Sequence, residues 1–309
     1  MSQPVASYRG RFAPSPTGPL HFGSLIAAVG SYLQARSQNG EWWLRIENID
    51  PPREAEGAID AILYSLEAHG LTWDGEALYQ QARQTRYAEA LEEIQQSDRL
   101  YACSCSRQQI ANAVGHTTGP LIYPGTCRGK PKPQYGPHAL RVDTRNSVIQ
   151  FKDMIQGGHH IALAEESGDF VLRRADGLYS YQLAVALDDV EQGMTEVVRG
   201  SDLLDSTPRQ IFVQQLLGFT PPQYAHLPVA IDPSTGHKLS KQTLAPALND
   251  KQAVQNLWQV LEFLGQQPPP AILNSTVEEF WSWAIPQWQF NLIPRTAAIR
   301  VKPDTRVES

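Results

Sequence analysis

Cysteine is scarce in this chain: there are three, all between Cys103 and Cys127. An odd number so closely grouped excludes a disulfide framework and leaves a metal site or free buried thiols. Positive charge is also short, with 26 lysines and arginines against 32 aspartates and glutamates, a net charge of −6. That excludes a protein coated for nucleic acid but not a local basic groove. No apolar run approaches the ~18 residues of a membrane span. The opening MSQPVASYRGRF has no apolar core that could serve as a secretory signal. A cytoplasmic, monomeric protein with no membrane partner is expected. The P-loop pattern GxxxxGK[ST] is missing too, so any triphosphate must be gripped by other means.

At 309 residues the chain has room for two domains, or for one large domain with an insertion. Residues 8–13 read as a buried strand ending in a loop stiffened by Pro14, Pro16 and Pro19. From Phe22 the apolar positions Leu25, Ile26, Val29 and Leu33 follow helical spacing up to Gly40, and EWWLRIENI reads as a second strand. Strand, loop, helix and strand in this order predict a βαβ unit and a parallel sheet. Further helices are predicted over 54–68, with Gly70 as a left-handed stop, and over 84–96. Residues 101–160 lose the helical rhythm and read as an insertion with its own small structure. Residues 169–181 read as a hairpin turning at 175–177. A helix over 182–189 and a strand over 195–199 come next. Thr207-Pro208, as N-cap and first-turn pair, opens a helix to 217. Helices over 254–264 and 277–284 close the chain.

Three constellations carry chemistry. PSPTGPLHFGS (14–24) brings His21 and Gly23 to the start of a helix, where unpaired N–H groups and a partial positive charge attract phosphate. HKLSKQ (237–242) aims Lys238 and Lys241 at one anion, as phosphoryl or nucleotidyl transfer requires. Cys103, Cys105 and Cys127 supply three thiolates suited to zinc, which wants four tetrahedral ligands. The fourth could be His116, Tyr123 or His138, and chemistry favours a histidine.

The first two motifs, in this order, resemble the signatures of class I aminoacyl-tRNA synthetases. RFAPSPTGPLHFGS, RIENID, YSYQLAVALDD and VVRGSDL narrow the resemblance to the glutamyl branch. Residues 242–309 are too few for a long helical anticodon-binding part, so the chain looks most like the shortened glutamyl-queuosine tRNA(Asp) synthetases. That resemblance implies an α/β fold. Its Rossmann-like, parallel-sheet catalytic domain would span 1–98 and 181–242, an inserted α+β zinc-containing subdomain 99–180, and a small C-terminal helical module 243–309.

The implied activity is ATP-dependent conversion of L-glutamate to glutamyl-adenylate, then transfer to the queuosine base in the anticodon of tRNA(Asp). His21, Gly23, Lys238 and Lys241 would hold ATP with Mg²⁺, His21 and Lys241 being catalytic. Arg11, Ala13, Ser15, Glu47, Tyr181 and Arg199 would bind glutamate. Two guanidinium forks and one carboxylate match a substrate with two carboxylates and one ammonium. The family also has a tyrosine at the place of Tyr123, making it the fourth ligand of a structural Zn²⁺. Two departures stand out. Ser24 occupies the place of a second histidine, removing one phosphate donor, and Gln242 replaces a serine. The competing readings are a truncated glutamyl-tRNA synthetase charging tRNA(Glu), a non-catalytic RNA-binding relative, and a nucleotidyltransferase acting on a small molecule. Other features read blandly: Trp42-Trp43 as sheet packing, Asp188-Asp189 as a solvated helix end, and the helices after residue 250 as a docking module.

Overall fold

The structure, a computed structural model, describes residues 7–115, 122–132, 136–232, 236 and 246–301. Lys238, Lys241, Gln242 and His116 lie outside the described residues. Strand β1 (Arg9–Phe12) leads through the proline loop into helix α1 (Phe22–Ser37) and back into strand β2 (Glu41–Ile46). The two strands pair in parallel, Arg9 beside Glu41 and Phe12 beside Leu44, as the sequence predicts. Helix α2 (Ala58–Ala68), strand β3 (Leu78–Tyr79) and helix α3 (Gln84–Gln95) follow. Gly70, just past α2, has φ of 65°, the left-handed stop expected of it. Helix α2 begins four residues later than predicted. A left-handed Gly57 (φ 69°) stands just before it, and a 3-10 turn over Pro51–Arg53 lies further upstream.

The middle of the chain is mostly antiparallel. Strand β4 (Leu100–Cys103) and helix α4 (Arg107–Val114) precede strands β5 (Ala139–Val142), β6 (Val148–Asp153) and β7 (Gly157–Ala162). Helix α5 (Leu163–Glu166) and strand β8 (Val171–Arg173) complete the region. β4, β5 and β8 form one sheet, and β6 with β7 a separate hairpin. Helix α4 was not predicted. Its local signal was there, in Ser106 and Gln109, which close a reciprocal cap.

The parallel rhythm then returns with helix α6 (Tyr181–Glu191), strand β9 (Glu196–Gly200), helix α7 (Thr207–Leu216) and strand β10 (Gln223–Leu227). β9 and β10 pair in parallel. The Thr195 N–H just before β9 donates to Arg9 O at 2.9 Å, which lays this pair beside β1. Strand β11 (Val229–Ile231) pairs in parallel with the last strand, β12 (Ala298–Arg300), after helices α8 (Ala253–Phe263) and α9 (Val277–Gln287).

α1 is buried on all sides from Ala28 to Ala35, because the sheet covers one face and α8 and α9 the other. Leu257, Val260, Phe280 and Trp281 from the last helices join Leu25, Val29, Trp42 and Leu44 in one core. Gly30 lies where α1 meets β10. A Cβ there would stand 2.5 Å from Leu227 Cδ1, so this close approach needs glycine. Trp42 is fully buried, stacks on Phe12 at 6.2 Å and donates to Ser31 Oγ at 2.9 Å, the packing role expected of it. Among the described residues no helix is long and apolar enough to cross a membrane.

Candidate active site

The C-terminal ends of β1, β2 and β9 and the N-terminal ends of α1 and α6 surround a cavity of about 510 Å³. Open α/β sheets bind ligands at this end of their strands. All eight described residues expected to hold glutamate or ATP line it: Arg11, Ala13, Ser15, His21, Gly23, Glu47, Tyr181 and Arg199. Pro228, Val229 and Ala230 line it too. Beyond residue 245 the chain returns to the same place. Ala247 forms an antiparallel bridge with His21, and Leu248 N–H donates to Leu20 O at 3.0 Å.

His21 is the N-cap of α1, not a residue of its first turn. Its Nδ1 accepts from Ser24 N–H at 3.3 Å, while Ser24 Oγ accepts from His21 N–H at 2.8 Å. Ser24 therefore serves as half of a reciprocal cap where another synthetase would carry a histidine.

Arg199, on β9 and only 3% exposed, is held on two sides. Its Nε donates to His226 Nε2 at 3.1 Å and its Nη2 to Thr207 Oγ1 at 2.9 Å. Among the described residues Nη1 has no hydrogen-bond partner, and it is buried. A buried cationic donor left unpaired costs free energy, and such groups concentrate where a ligand completes them. Thr207 is the first residue of α7, with Ser206 in the cap position, and its side chain does not cap the helix. The expected N-cap role is thus corrected: the hydroxyl turns inward to the arginine instead.

Arg11 behaves differently. Its Nε and Nη2 donate to Asp189 at 3.0 and 3.3 Å, and Arg45 Nη2 donates to the same carboxylate at 2.7 Å. Asp188 takes hydrogen bonds from Gln80 at 2.7 Å, Arg83 at 2.7 Å and Tyr87 at 2.8 Å. The reading of Asp188-Asp189 as a solvated helix end is therefore wrong. Both are buried, at 0% and 1% exposure, and tie α6 to β1, β2 and α3. Burial alone would raise the Asp189 carboxyl, but Arg11 and Arg45 outweigh it and hold it at about 2.

Glu47 stands 3.5 Å from Arg45 Nη2. Burial pushes its carboxyl up to about 7, against the pull of Arg45 and Arg11. Arg45 was missed by the sequence reading, although it sits two residues before Glu47, on the same side of an extended strand.

A second cluster lies around β4. The sulfurs of Cys103, Cys105 and Cys127 are all within 4.8 Å of one another, and no other such group of potential metal ligands occurs among the described residues. Tyr123 reaches the same point, its hydroxyl 3.3 Å from Cys103 Sγ, 3.7 Å from Cys105 Sγ and 2.8 Å from Cys127 N. The Arg141 guanidinium lies 4.1 Å from the Tyr123 ring centroid. Burial pushes the Cys105 thiol up to about 11. Cys127 feels burial as well, but hydrogen bonds from Tyr123 and Cys105 hold it at about 7. Three soft sulfurs and one oxygen converging on one point fit a closed tetrahedral zinc site. His138 is not part of this group, and its Nδ1 lies 3.5 Å from Gly136 O.

Comparison with known proteins gives a consistent picture. The family described as tRNA synthetases class I (E and Q), catalytic domain, matches residues 7–264. A glutamyl-Q tRNA(Asp) synthetase of Dechloromonas aromatica is 52% identical over 294 residues, 94% of this chain and 97% of the relative. The protein of the same name from Chromobacterium violaceum is 51% identical, over 94% of this chain and 96% of the relative. Among solved structures, a glutamate-tRNA synthetase from Elizabethkingia anophelis superposes with a TM-score of 0.80 at 24% identity. It covers 96% of this chain and 68% of its own. The last likeness bears on the fold alone, an α/β architecture built on a parallel sheet.

Proposed function

The chain belongs to the glutamyl and glutaminyl branch of the class I tRNA synthetases, and within it to the glutamyl-Q tRNA(Asp) synthetases, and from that membership we propose a two-step glutamyl transfer. ATP activates L-glutamate, and the glutamyl group passes to the queuosine base in the anticodon of tRNA(Asp). In the first step an oxygen of the glutamate α-carboxylate attacks the α-phosphorus of ATP, and the bond to pyrophosphate breaks. In the second, a nucleophile of the queuosine base attacks the acyl carbon and AMP leaves.

One observation carries this reading: the residues suited to a dicarboxylate ammonium ion and those suited to a triphosphate line a single cavity. Arg199 Nη1, buried and without a partner among the described residues, takes a carboxylate of glutamate. Glu47 takes the ammonium, and Tyr181, Ala13 and Ser15 complete the enclosure. Arg11 supports the pocket electrostatically, since two of its three nitrogens are engaged by Asp189. The N-terminus of α1, with His21 and Gly23, receives phosphate. Lys238 and Lys241 neutralise the charge that develops there. In support of the lysine assignment, Ala230 lines the cavity and Ala247 pairs with His21, which lines it too. Mg²⁺ entering with ATP would add positive charge at the phosphates.

Cys103, Cys105, Cys127 and Tyr123 would hold Zn²⁺. The metal would cross-link β4 to the following loop and so stiffen the inserted 99–180 region beside the catalytic halves. Within the 243–309 module, helices α8 and α9 would act as a buttress behind α1. The deciding experiment is acceptor labelling with purified protein, ATP and labelled glutamate. Queuosine-bearing tRNA(Asp) should be labelled, while queuosine-free tRNA(Asp) and tRNA(Glu) should not. Labelling of tRNA(Glu) alone would favour a truncated glutamyl-tRNA synthetase. Absence of glutamate-dependent pyrophosphate exchange would leave only a binding protein.

A further inference from the structure

We propose that Asp153 and His226 are positioning residues: together they fix the orientation of Arg199, so that one face of its guanidinium is presented to a carboxylate. This rests on the reading of the cavity as a glutamate site. Four separate elements converge here: Asp153 ends β6, His226 lies in β10, Arg199 in β9, and Thr207 opens α7. Asp153, His226 and Thr207 are essentially unexposed, so the hydrogen atoms at this point are fixed by their partners and not by water.

The proton positions follow by elimination. Arg199 Nε–H is a donor, and among the described residues its close partner is His226 Nε2 at 3.1 Å, which must therefore offer a lone pair. Thr207 Oγ1, also 3.1 Å from Nε2, accepts from Arg199 Nη2 and has its own hydrogen to give. The imidazole proton thus sits on Nδ1 and is donated to Asp153 Oδ2 at 2.6 Å. Burial, helped by the Arg199 charge, pushes His226 down to about 4, so the ring is neutral near pH 7.

Asp153 cannot turn away. Its Oδ1 accepts the backbone N–H groups of Ile155, Gln156 and His226 at 3.0, 2.8 and 3.2 Å. A chain of fixed donors and acceptors therefore runs from the β6–β7 hairpin to Arg199, holding Nε and Nη2 and leaving Nη1 for the ligand. Preorganisation of this kind lowers the ordering cost of binding. Neither residue touches the cavity itself.

Asp153→Asn tests the proposal at nearly constant shape. If the asparagine oxygen keeps the three backbone N–H groups, its NH₂ faces Nδ1. His226 must then shift to the Nε2–H form, which sets a donor against Arg199 Nε–H. The expected result is a KM for glutamate in pyrophosphate exchange raised about tenfold or more, with kcat and the KM for ATP unchanged. Nitrogen-15 NMR of the imidazole should report Nδ1–H in the wild-type protein and Nε2–H in the variant. Nε2–H in the wild type would overturn the proposal, and that measurement decides alone should the variant not fold. An unchanged glutamate KM, or equal losses for glutamate and ATP, would also overturn it. Arg199→Ala separates the two layers. If it raises the glutamate KM while Asp153→Asn does not, only the positioning role fails. If Arg199→Ala has no effect, the glutamate reading fails and the proposal falls with it.

Discussion

Glu47 makes the acidity of the medium a probe of the glutamate site. The residue is 9% exposed and burial raises its carboxyl to about 7, so near neutrality it is about half protonated in the free protein. An ammonium ion needs the ionised form. Below pH 7 each further unit should therefore weaken glutamate binding by about tenfold, or ~1.4 kcal/mol. The KM for glutamate in pyrophosphate exchange at pH 6 should stand about tenfold above its value at pH 8, while the KM for ATP stays level. Glu47→Gln should remove this limb and leave the glutamate KM high at every pH, by about ten- to a hundredfold, the value of a charged hydrogen bond.

Stability should move the other way. A carboxyl raised in the folded state from 4.5 to about 7 carries no penalty below pH 4.5. The penalty grows as the pH rises between these values and is complete above 7, at about 3 kcal/mol as an upper bound. Glu47→Gln should thus raise the melting temperature of the ligand-free protein at pH 8 and not at pH 4.5. A wild-type glutamate KM that is flat from pH 6 to 8, or an acid limb that survives in Glu47→Gln, would refute the assignment.

Asp189→Asn removes the carboxylate that Arg11 and Arg45 share in the interior, and urea unfolding should show a loss of about 3–5 kcal/mol. Because Asp189 is held at about 2 against 3.8, its contribution is present above pH ~4 and lost as the pH falls through about 2. The variant should consequently show a shallower acid unfolding limb there. Lys241→Ala should lower kcat for pyrophosphate exchange by about a hundredfold or more with the glutamate KM within about twofold; a change confined to KM would remove it from the phosphate site. Metal analysis should find one zinc per chain. Cys127→Ser should abolish it and lower thermal stability while leaving glutamate-dependent exchange measurable, and full metal content in that variant would rule out the sulfur cluster as the site.

What the sequence determined by itself is local. The spacing of Leu25, Ile26, Val29 and Leu33 is enough for α1, and the apolar runs around it are enough for a parallel βαβ unit, because side-chain periodicity acts between near neighbours. Gly70 was legible for the same reason: only the residue just past a helix needs its left-handed backbone. The candidate site residues from Arg11 to Arg199 could be named because they stand in motifs that resemble those of the glutamyl branch, and their residue types are consistent with a triphosphate and a dicarboxylate. Tertiary structure alone decided how they are paired. Asp188 and Asp189 look solvated in a string of letters, and only the packing of α6 against β1, β2 and α3 brings guanidinium groups from residues 11, 45 and 83 onto them. Asp153 and His226 carried no signal either, and Thr207 carried only that of a helix start. A carboxylate, an imidazole and a hydroxyl become one hydrogen-bonded set around Arg199 only when strand register and helix docking bring four distant segments together. Interactions across such sequence separations depend on the whole fold, which no short window of residues encodes.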